Sequence, residues 1–373
     1  MRILSYEFSD VDDIFSPVTF SRISLFVGAS GSGKTRFFNT IFNLGSFLCT
    51  KQNLRRGTWM LTFAIGETRY KYSLESQENE SGQNEVANEK LERLEPNGTW
   101  KEILRREDDK CYYKNDKLPK FPRDASLIWS LREEEEVKSI HSNFGLILRR
   151  SFAGGVIEDA KLRITLQAEI LASFDRKKSM LDLYHLPIPS LSAILYILQR
   201  VFPARFQMVC SQFRQIFSNV TDIEVKPASQ YKLRSHIDDA PLLAIKDKGV
   251  KNWIPLEELS SGMIKVLIIL TDLAKSLDES IYMIDEYENS LGINAIDFLP
   301  ELIEQYPKVQ FLMTSHHPYI INNINVRNWY VFSRTGSKTQ IKFGEELVNR
   351  YGLSKHEAFT QLINDPFFNK GGA

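Results

Sequence analysis

The chain is poor in the residues that staple small folds. Its three cysteines, Cys49, Cys111 and Cys210, are scattered over 373 residues. No CxxC pair or Cys/His cluster is present, which argues against a disulfide framework and a structural zinc site. An odd number of widely spaced thiols suits a reducing compartment, so a cytoplasmic location is expected. Net charge is lacking too: 47 Lys+Arg face 47 Asp+Glu, which excludes a wholly basic nucleic-acid coat and an acidic tail protein. Long apolar runs are missing. The N-terminal MRILSYEFSDVDD has no signal-type apolar core, and Val266–Leu270 is far too short to cross a bilayer, so no membrane contact is expected. What remains is ordinary globular composition, 43% hydrophobic and 25% charged, in a chain long enough to bury a sizeable core without staples.

Along the chain, residues 23–27 read as a short buried strand that ends at Gly28. Residues 36–48 follow with Phe37, Phe38, Ile41, Phe42 and Leu48 at helical spacing. Residues 58–74 alternate and turn at Gly66-Glu67, as in a hairpin. The polar stretch from Glu75 to Glu89 reads as a mobile surface loop. Residues 90–118 read as a further meander with a turn at Pro96-Asn97-Gly98. Residues 126–222 change character to helical patterns broken at Pro187, Pro189 and Pro203, and the acidic run Glu133–Glu136 reads as a solvated helix face. Strands return over 221–256, with a turn at Lys248-Gly249. A helix from about Met263 to Leu277 shows one apolar face. Strand 281–285, a helix near 293–305, and strands 309–315 and 329–333 complete an alternation that predicts a parallel α/β core.

The chemistry gathers at the ends of these strands. Gly28-Ala29-Ser30-Gly31-Ser32-Gly33-Lys34-Thr35 fits GxxxxGK[ST], a match that arises by chance in about one chain in a hundred of this length. It lies after a buried strand and before a helix, as a phosphate loop requires. Glycines let backbone N–H groups turn inward toward phosphate oxygens, and the helix N-terminus adds partial positive charge. Lys34 is placed for the β- and γ-phosphates and Thr35 for Mg2+. In Ile281-Tyr282-Met283-Ile284-Asp285-Glu286 a buried strand delivers two carboxylates to its C-terminal edge. Asp285 would hold Mg2+, and Glu286 would orient and deprotonate an attacking water. Ser260-Ser261-Gly262 precedes the long helix about 25 residues before Asp285. As a plain motif it is a helix cap; in this position its hydroxyls and N–H groups can also meet a phosphate. His316 follows strand 309–315, where its imidazole would reach a γ-phosphate or the attacking water, while His317 would point elsewhere.

Together, GASGSGKT, IPLEELSSGMIKVLIIL, IYMIDEYENSLG and FLMTSHHPYIIN resemble the ABC-class ATPases, in particular the soluble SMC/RecF-like branch labelled AAA-family ATPases. The run around Glu288, Asn289 and Gly292 is similar to that branch's D-loop, and 203–226 to its helix-to-strand segment. In detail the resemblance covers the first 40 residues and about 200–330; between them it is architectural. It implies an α/β fold: an ABC-type P-loop ATPase head with a mixed β-meander lobe, a parallel-sheet core and a short helical insertion. The expected division is 1–122 for the lobe with phosphate loop and meander, 123–222 for the insertion, 223–340 for the lobe with signature, acidic strand and His316, and 341–373 for a tail.

The resemblance also implies ATP and Mg2+ as cofactors and a head-to-tail homodimer, alone or within a higher oligomer. ATP on Gly28, Ser30, Gly31, Ser32, Gly33, Lys34 and Thr35 of one copy would be closed over by Ser260, Ser261 and Gly262 of the other. Lys265 would be a small basic switch. The signature reads LSSGM rather than LSGGQ, which argues against a transporter subunit; Gly292 replaces a histidine frequent in the branch; and no glutamine is assigned to the Q-loop. The insertion is too short for a coiled-coil arm. The last 40 residues lack the acidic sets of the Toprim nuclease domain found in the overcoming-lysogenization-defect nucleases. A stand-alone ATPase of this kind resembles the retron-associated and Septu-type subunits of antiphage systems, with a separate nuclease or toxin as effector. A DNA-repair or DNA-end-binding ATPase is the alternative, resting on Arg55-Arg56, Arg105-Arg106 and Arg149-Arg150. A non-hydrolysing module is a third, against which Glu286 stands.

Overall fold

The computed structural model describes residues 1–152, 160–161, 179–185, 190–231, 240–288, 291–346, 360, 362 and 364–369. Pro187, Pro189, Asn289 and most of the expected tail lie outside them. The chain divides into two compact units, one of residues 1–150, 278–286 and 307–373, the other of 151–277 and 287–306.

The first unit is built on a sheet that contains, in chain order, β1 (Arg2–Ser9), β2 (Ile14–Thr19), β3 (Ile23–Val27), β4 (Gly57–Ile65), β5 (Thr68–Glu78), β6 (Asn84–Leu94), β7 (Trp100–Glu107), β8 (Lys110–Tyr113), β9 (Asp116–Leu118) and β10 (Ile147–Ser151). After β11 (Val220–Pro227), β12 (Pro241–Asp247) and β13 (Ile254–Pro255), which pair with one another in a separate sheet of the second unit, come β14 (Ile281–Asp285), β15 (Gln310–Ser315), β16 (Trp329–Thr335) and β17 (Lys338–Phe343). The large sheet runs β10-β14-β15-β3-β16-β17-β2-β1-β4-β5-β6-β7-β8-β9. β14, β15, β3 and β16 are parallel; β1 and β4 to β9 form an antiparallel meander.

Helix α1 (Lys34–Thr50) covers the parallel half with Phe37, Phe38, Ile41, Leu44 and Leu48, all buried. Phe37 is the hub: Tyr6, Phe15, Phe26 and Phe332 meet it edge-on with ring centroids 5.1–5.6 Å apart. Burial of such a ring is worth about 1.5–3 kcal/mol and each edge-on pair about 0.5–1.5 kcal/mol more. The start of α1, which carries the phosphate loop, is therefore anchored by its own first turn. Helices α2 (Leu127–Ser130) and α3 (Glu135–Phe144) pack against α1. Of the acidic run, Glu133–Glu135 are exposed, as a solvated face requires, and Glu136 pairs with Arg93 and Lys114.

Two expectations fail here. Residues 75–89 are not a loop: β5 continues to Glu78, Asn79–Gln83 turn, and β6 begins at Asn84. The polar composition misleads because two of the inward positions are Ser76 and Glu89. Both are buried and satisfied, Ser76 by Arg55 O (2.6 Å) and Gly57 N (3.0 Å), Glu89 by Tyr72 Oη (2.9 Å) and Leu127 N (2.7 Å). Residues 126–150, expected in a helical insertion, belong to the first unit, and β10 joins its sheet beside β14, with Ile281 N donating to Leu146 O (3.1 Å). Arginines at 149 and 150 hide this strand from a hydrophobicity pattern.

In the second unit, α4 (Met180–His185), α5 (Leu191–Val201), α6 (Pro203–Ile216) and α7 (Ser261–Lys275) accompany the three-stranded sheet. The helix expected near 293–305 is two pieces, α8 (Ile293–Asp297) and α9 (Leu299–Glu304), the second with Pro300 in its first turn, where proline is tolerated because it donates no bond there. α7 was expected to be amphipathic; instead every residue from Ile264 to Lys275 is buried. Its charged residues are enclosed: Lys275 pairs with Asp272 at 3.5 Å.

Candidate active site

The phosphate loop begins where β3 ends. Four of the five residues of β3 are buried, flanked by β15 and β16 on parallel ladders. The loop glycines are there for different reasons. A Cβ on Gly28 would meet Ser32 Oγ at 2.6 Å and the carbonyl of Phe332 at 2.8 Å, so this position has no room for a side chain. Gly31 and Gly33 have φ of 84° and 98°, a left-handed backbone that costs other residues about 1–2 kcal/mol. Gly33 is the N-cap of α1 and offers no side chain to close it. The helix thus presents its first-turn N–H groups toward the loop, which is how a helix start takes up an anion. Lys34 Nζ spans the loop, donating to Gly28 O (2.7 Å), Ala29 O (2.9 Å) and Ser32 Oγ (3.3 Å).

Beside it, β14 delivers Asp285 with its side chain 4% exposed. Thr35 Oγ1 donates to Asp285 Oδ1 at 3.3 Å and Thr314 Oγ1 to the same oxygen at 2.7 Å. A threonine hydroxyl and a buried carboxylate converging at the start of α1 are hard oxygen donors suited to Mg2+. Glu286 follows with φ 52°, an uncommon conformation for glutamate. Its backbone N–H donates to Thr314 Oγ1 at 2.8 Å, so Thr314 links the Asp285 carboxylate to the Glu286 backbone. Glu286 and His316 are exposed, and both line one cleft of about 260 Å3 with Ser30, Gly31, Gly33, Lys34 and Thr35. His317 turns away: its Nδ1 accepts from Tyr319 N (3.3 Å) as cap of α10 (Pro318–Asn323).

Five residues at or beside this site were not singled out from sequence as site residues: Arg36, Thr314, Ser315 and Arg334, which line the cleft, and Arg149, which lies 3.5 Å from Asp285. Thr314 carried a signal, a hydroxyl at the end of the strand next to Asp285. Arg149 lies on the strand that composition concealed. Arg334 lines the cleft and approaches Asp13 at 3.5 Å; nothing in its neighbourhood in sequence marks it.

Ser260, Ser261 and Gly262 belong to the second unit. The Ser260 hydroxyl accepts from Met263 N at 3.3 Å as N-cap of α7, so the helix-cap reading holds for this residue. Ser261 is exposed and Gly262 half-buried in the first turn. Lys265 is wholly buried, its Nζ 4.1 Å from the centroid of Phe152 and 6.0 Å from that of Tyr287.

Residues 23–322 match the model of the family described as "AAA domain, putative AbiEii toxin, Type IV TA system". Among solved structures the chain is similar to an Smc head bound to the C-winged helix domain of ScpA, at TM-score 0.51 and 13% identity over 92% of this chain and 97% of that one. It is also similar to an Smc head domain with an extended coiled coil, bound to the C-terminal domain of ScpA derived from Pyrococcus furiosus, at TM-score 0.50 and 13% identity over 97% and 99%. At this identity the likeness shows the fold, a mixed α/β P-loop ATPase head. No curated protein matched the chain.

Proposed function

Because the chain belongs to this AAA-domain family, we propose that it binds ATP with Mg2+ and hydrolyses it as a head-to-tail homodimer, a switch that controls a separate effector protein, a nuclease or toxin, in antiphage defence. The observation that carries the ATPase reading is the convergence of Lys34, Thr35 and Glu286 on one cleft, with the buried Asp285 carboxylate hydrogen-bonded to Thr35 beside it. The cleft volume falls just below the ~300–1,000 Å3 of complete ligand pockets. It suits a triphosphate chain, over which a second copy would close. Exposed Ser261 at the start of the 15-residue α7 is suited to do so.

The roles follow from the chemistry of each group. Loop N–H groups and Lys34 hold the β- and γ-phosphates. Thr35 and Asp285 would hold Mg2+, which would supply charge neutralisation on the phosphates. Glu286 takes the proton of the attacking water, and His316 contacts the γ-phosphate or that water. The family description names a toxin and a type IV toxin–antitoxin system, which supports a defence role, and the Smc heads it resembles in fold are bound to a partner protein.

Several of the arginines behind the DNA-binding reading are engaged within the protein, while Arg56 is exposed. Arg55 is engaged by Asp10 and Asp13, Arg105 by Glu102 and Glu107, and Arg106 is buried and donates to Pro122 O and Ala125 O. Arg106, being buried, is withdrawn from any phosphate-binding groove, and the other two have acidic neighbours.

Glu286→Gln decides between the readings of this acid. It should retain ATP binding, lose turnover by about 100-fold or more, and accumulate an ATP-dependent dimer in sedimentation. Hydrolysis at the parental rate would remove Glu286 from the base role; absence of any ATP-dependent dimer would remove the shared pocket.

A further inference from the structure

The carboxylate assigned to the metal already has a cation beside it. Arg149, in the middle of β10, places Nη2 3.5 Å from Asp285 Oδ2. The carboxylate is thus divided: Oδ1 receives the hydroxyls of Thr35 and Thr314, and Oδ2 faces the guanidinium. Both partners are well enclosed, with side-chain exposures of 4% for Asp285 and 16% for Arg149, so solvent screens the pair weakly. The guanidinium also lies 5.9 Å from the ring centroid of Phe42 on α1. Yet it is held poorly. Its Nε is buried with no hydrogen-bond partner among the described residues, and a contact of 3.5 Å is long beside the ~2.7–2.9 Å of a charge-assisted bond. An arginine meant to lock a carboxylate would use two parallel N–H bonds; this one neutralises charge without closing the fork.

We infer that Arg149 is a displaceable counter-ion, standing in for the divalent cation at Asp285 until metal arrives with the triphosphate. The inference rests on the reading of Thr35 and Asp285 as the metal-binding pair. Bare divalent metal approaching Asp285 meets a carboxylate whose charge is already balanced and a guanidinium that repels it. Metal carried by a nucleotide brings several negative charges, which give Arg149 another partner. Metal therefore enters with ATP and not ahead of it.

The test uses Mn2+ as the probe, followed by its electron paramagnetic resonance signal in nucleotide-free protein. Arg149→Gln, and Arg149→Met with its uncharged unbranched side chain, should each tighten Mn2+ binding by ~10-fold or more, as expected for removing one like charge roughly 5 Å away. Arg149→Lys should stay near the parent. With a non-hydrolysable ATP analogue present, the difference should narrow. Structural damage would weaken metal binding, so a purely structural arginine cannot give the gain. Unchanged or weaker Mn2+ binding in both neutral variants overturns the inference. Adding Asp285→Asn to Arg149→Gln separates the failures: if Mn2+ binding persists there, the metal pair is wrongly assigned; if it is lost while Arg149 has no effect, only the counter-ion role falls.

Discussion

The two halves of the large sheet obey different rules. In the parallel half, every residue of β14 and β15 is buried. Such strands have no face on which to display a polar group, so their chemistry is pushed to their ends. Asp285, Glu286, Thr314 and His316 all lie at C-terminal strand ends, beside the N-terminus of α1. The meander alternates instead: along β5, Tyr72, Leu74 and Ser76 are buried while Lys71, Ser73 and Glu75 are not. Its polar groups are spread along the strands and are engaged locally, Lys90 with Glu92 and Arg105 with Glu102 and Glu107. Charge in the meander is therefore dispersed and locally paired, while the sparse charge of the parallel half is gathered at one edge.

The largest effect should come from the edge. Lys34→Ala removes the cation that spans the phosphate loop and should weaken ATP binding by about 100-fold or more, roughly 3 kcal/mol, with little change in melting temperature. Calorimetric titration would check this, and unchanged affinity would discredit the phosphate loop. The counterpart in the meander is Glu89→Ala. Burial pushes the Glu89 carboxyl up from its ordinary value, against the charge of Arg106 and hydrogen bonds from Leu127 N, Tyr72 and Ile128 N. Losing it strands those donors and should cost about 2–3 kcal/mol of stability, while ATP affinity of the folded protein stays at the parental level. If nucleotide affinity fell with Glu89, the division of labour between the halves would be broken.

The legibility of the sequence divides along the same line. Strand, phosphate loop and helix could be read from residues 23–48, because continuous burial and helical spacing leave one solution. The acids at 285 and 286 could be read because four apolar residues precede them. The meander was half legible: the turns at Gly66 and at Pro96-Asn97-Gly98 declared themselves, but Glu75–Glu89 did not, since a buried Ser76 and Glu89 look like solvent-facing residues until their partners are known. β10 was hidden for a similar reason, as Arg149 is inward-facing only because Asp285 awaits it. α7 misled in the opposite direction. Its apolar stripe is real, but the polar residues between are enclosed as well, which no periodicity reports.

A smaller effect sharpens the comparison at the point where the halves meet, in the loop between β1 and β2. Burial alone would raise the Asp13 carboxyl, but hydrogen bonds from Arg55 and Arg36 prevail and hold it below the usual carboxylate range. A carboxylate depressed in the folded state contributes stability above its unfolded value, near 3.8, and loses it as pH falls through the folded one. Asp13→Asn should therefore be about 1–2 kcal/mol less stable than the parent at neutral pH. In urea titrations the two should converge as pH drops below that value; a constant gap would mean that the charge is irrelevant.

The smallest effect belongs to the meander's outer face. Arg105 meets Glu102 Oε1 at 3.1 Å and Glu107 Oε1 at 2.6 Å and lies over the Tyr112 ring at 4.3 Å. By count of contacts it looks as well connected as Arg149. The difference is water: Arg105 and its two acids are 29%, 24% and 57% exposed, so their charges are largely hydrated with or without the pairs. Arg105→Ala should change stability by less than about 1 kcal/mol and leave ATP and Mn2+ binding alone. A loss comparable to that of Glu89→Ala would show that the outer face of the meander is not the solvated surface its alternation implies, and would reopen the question of what covers it.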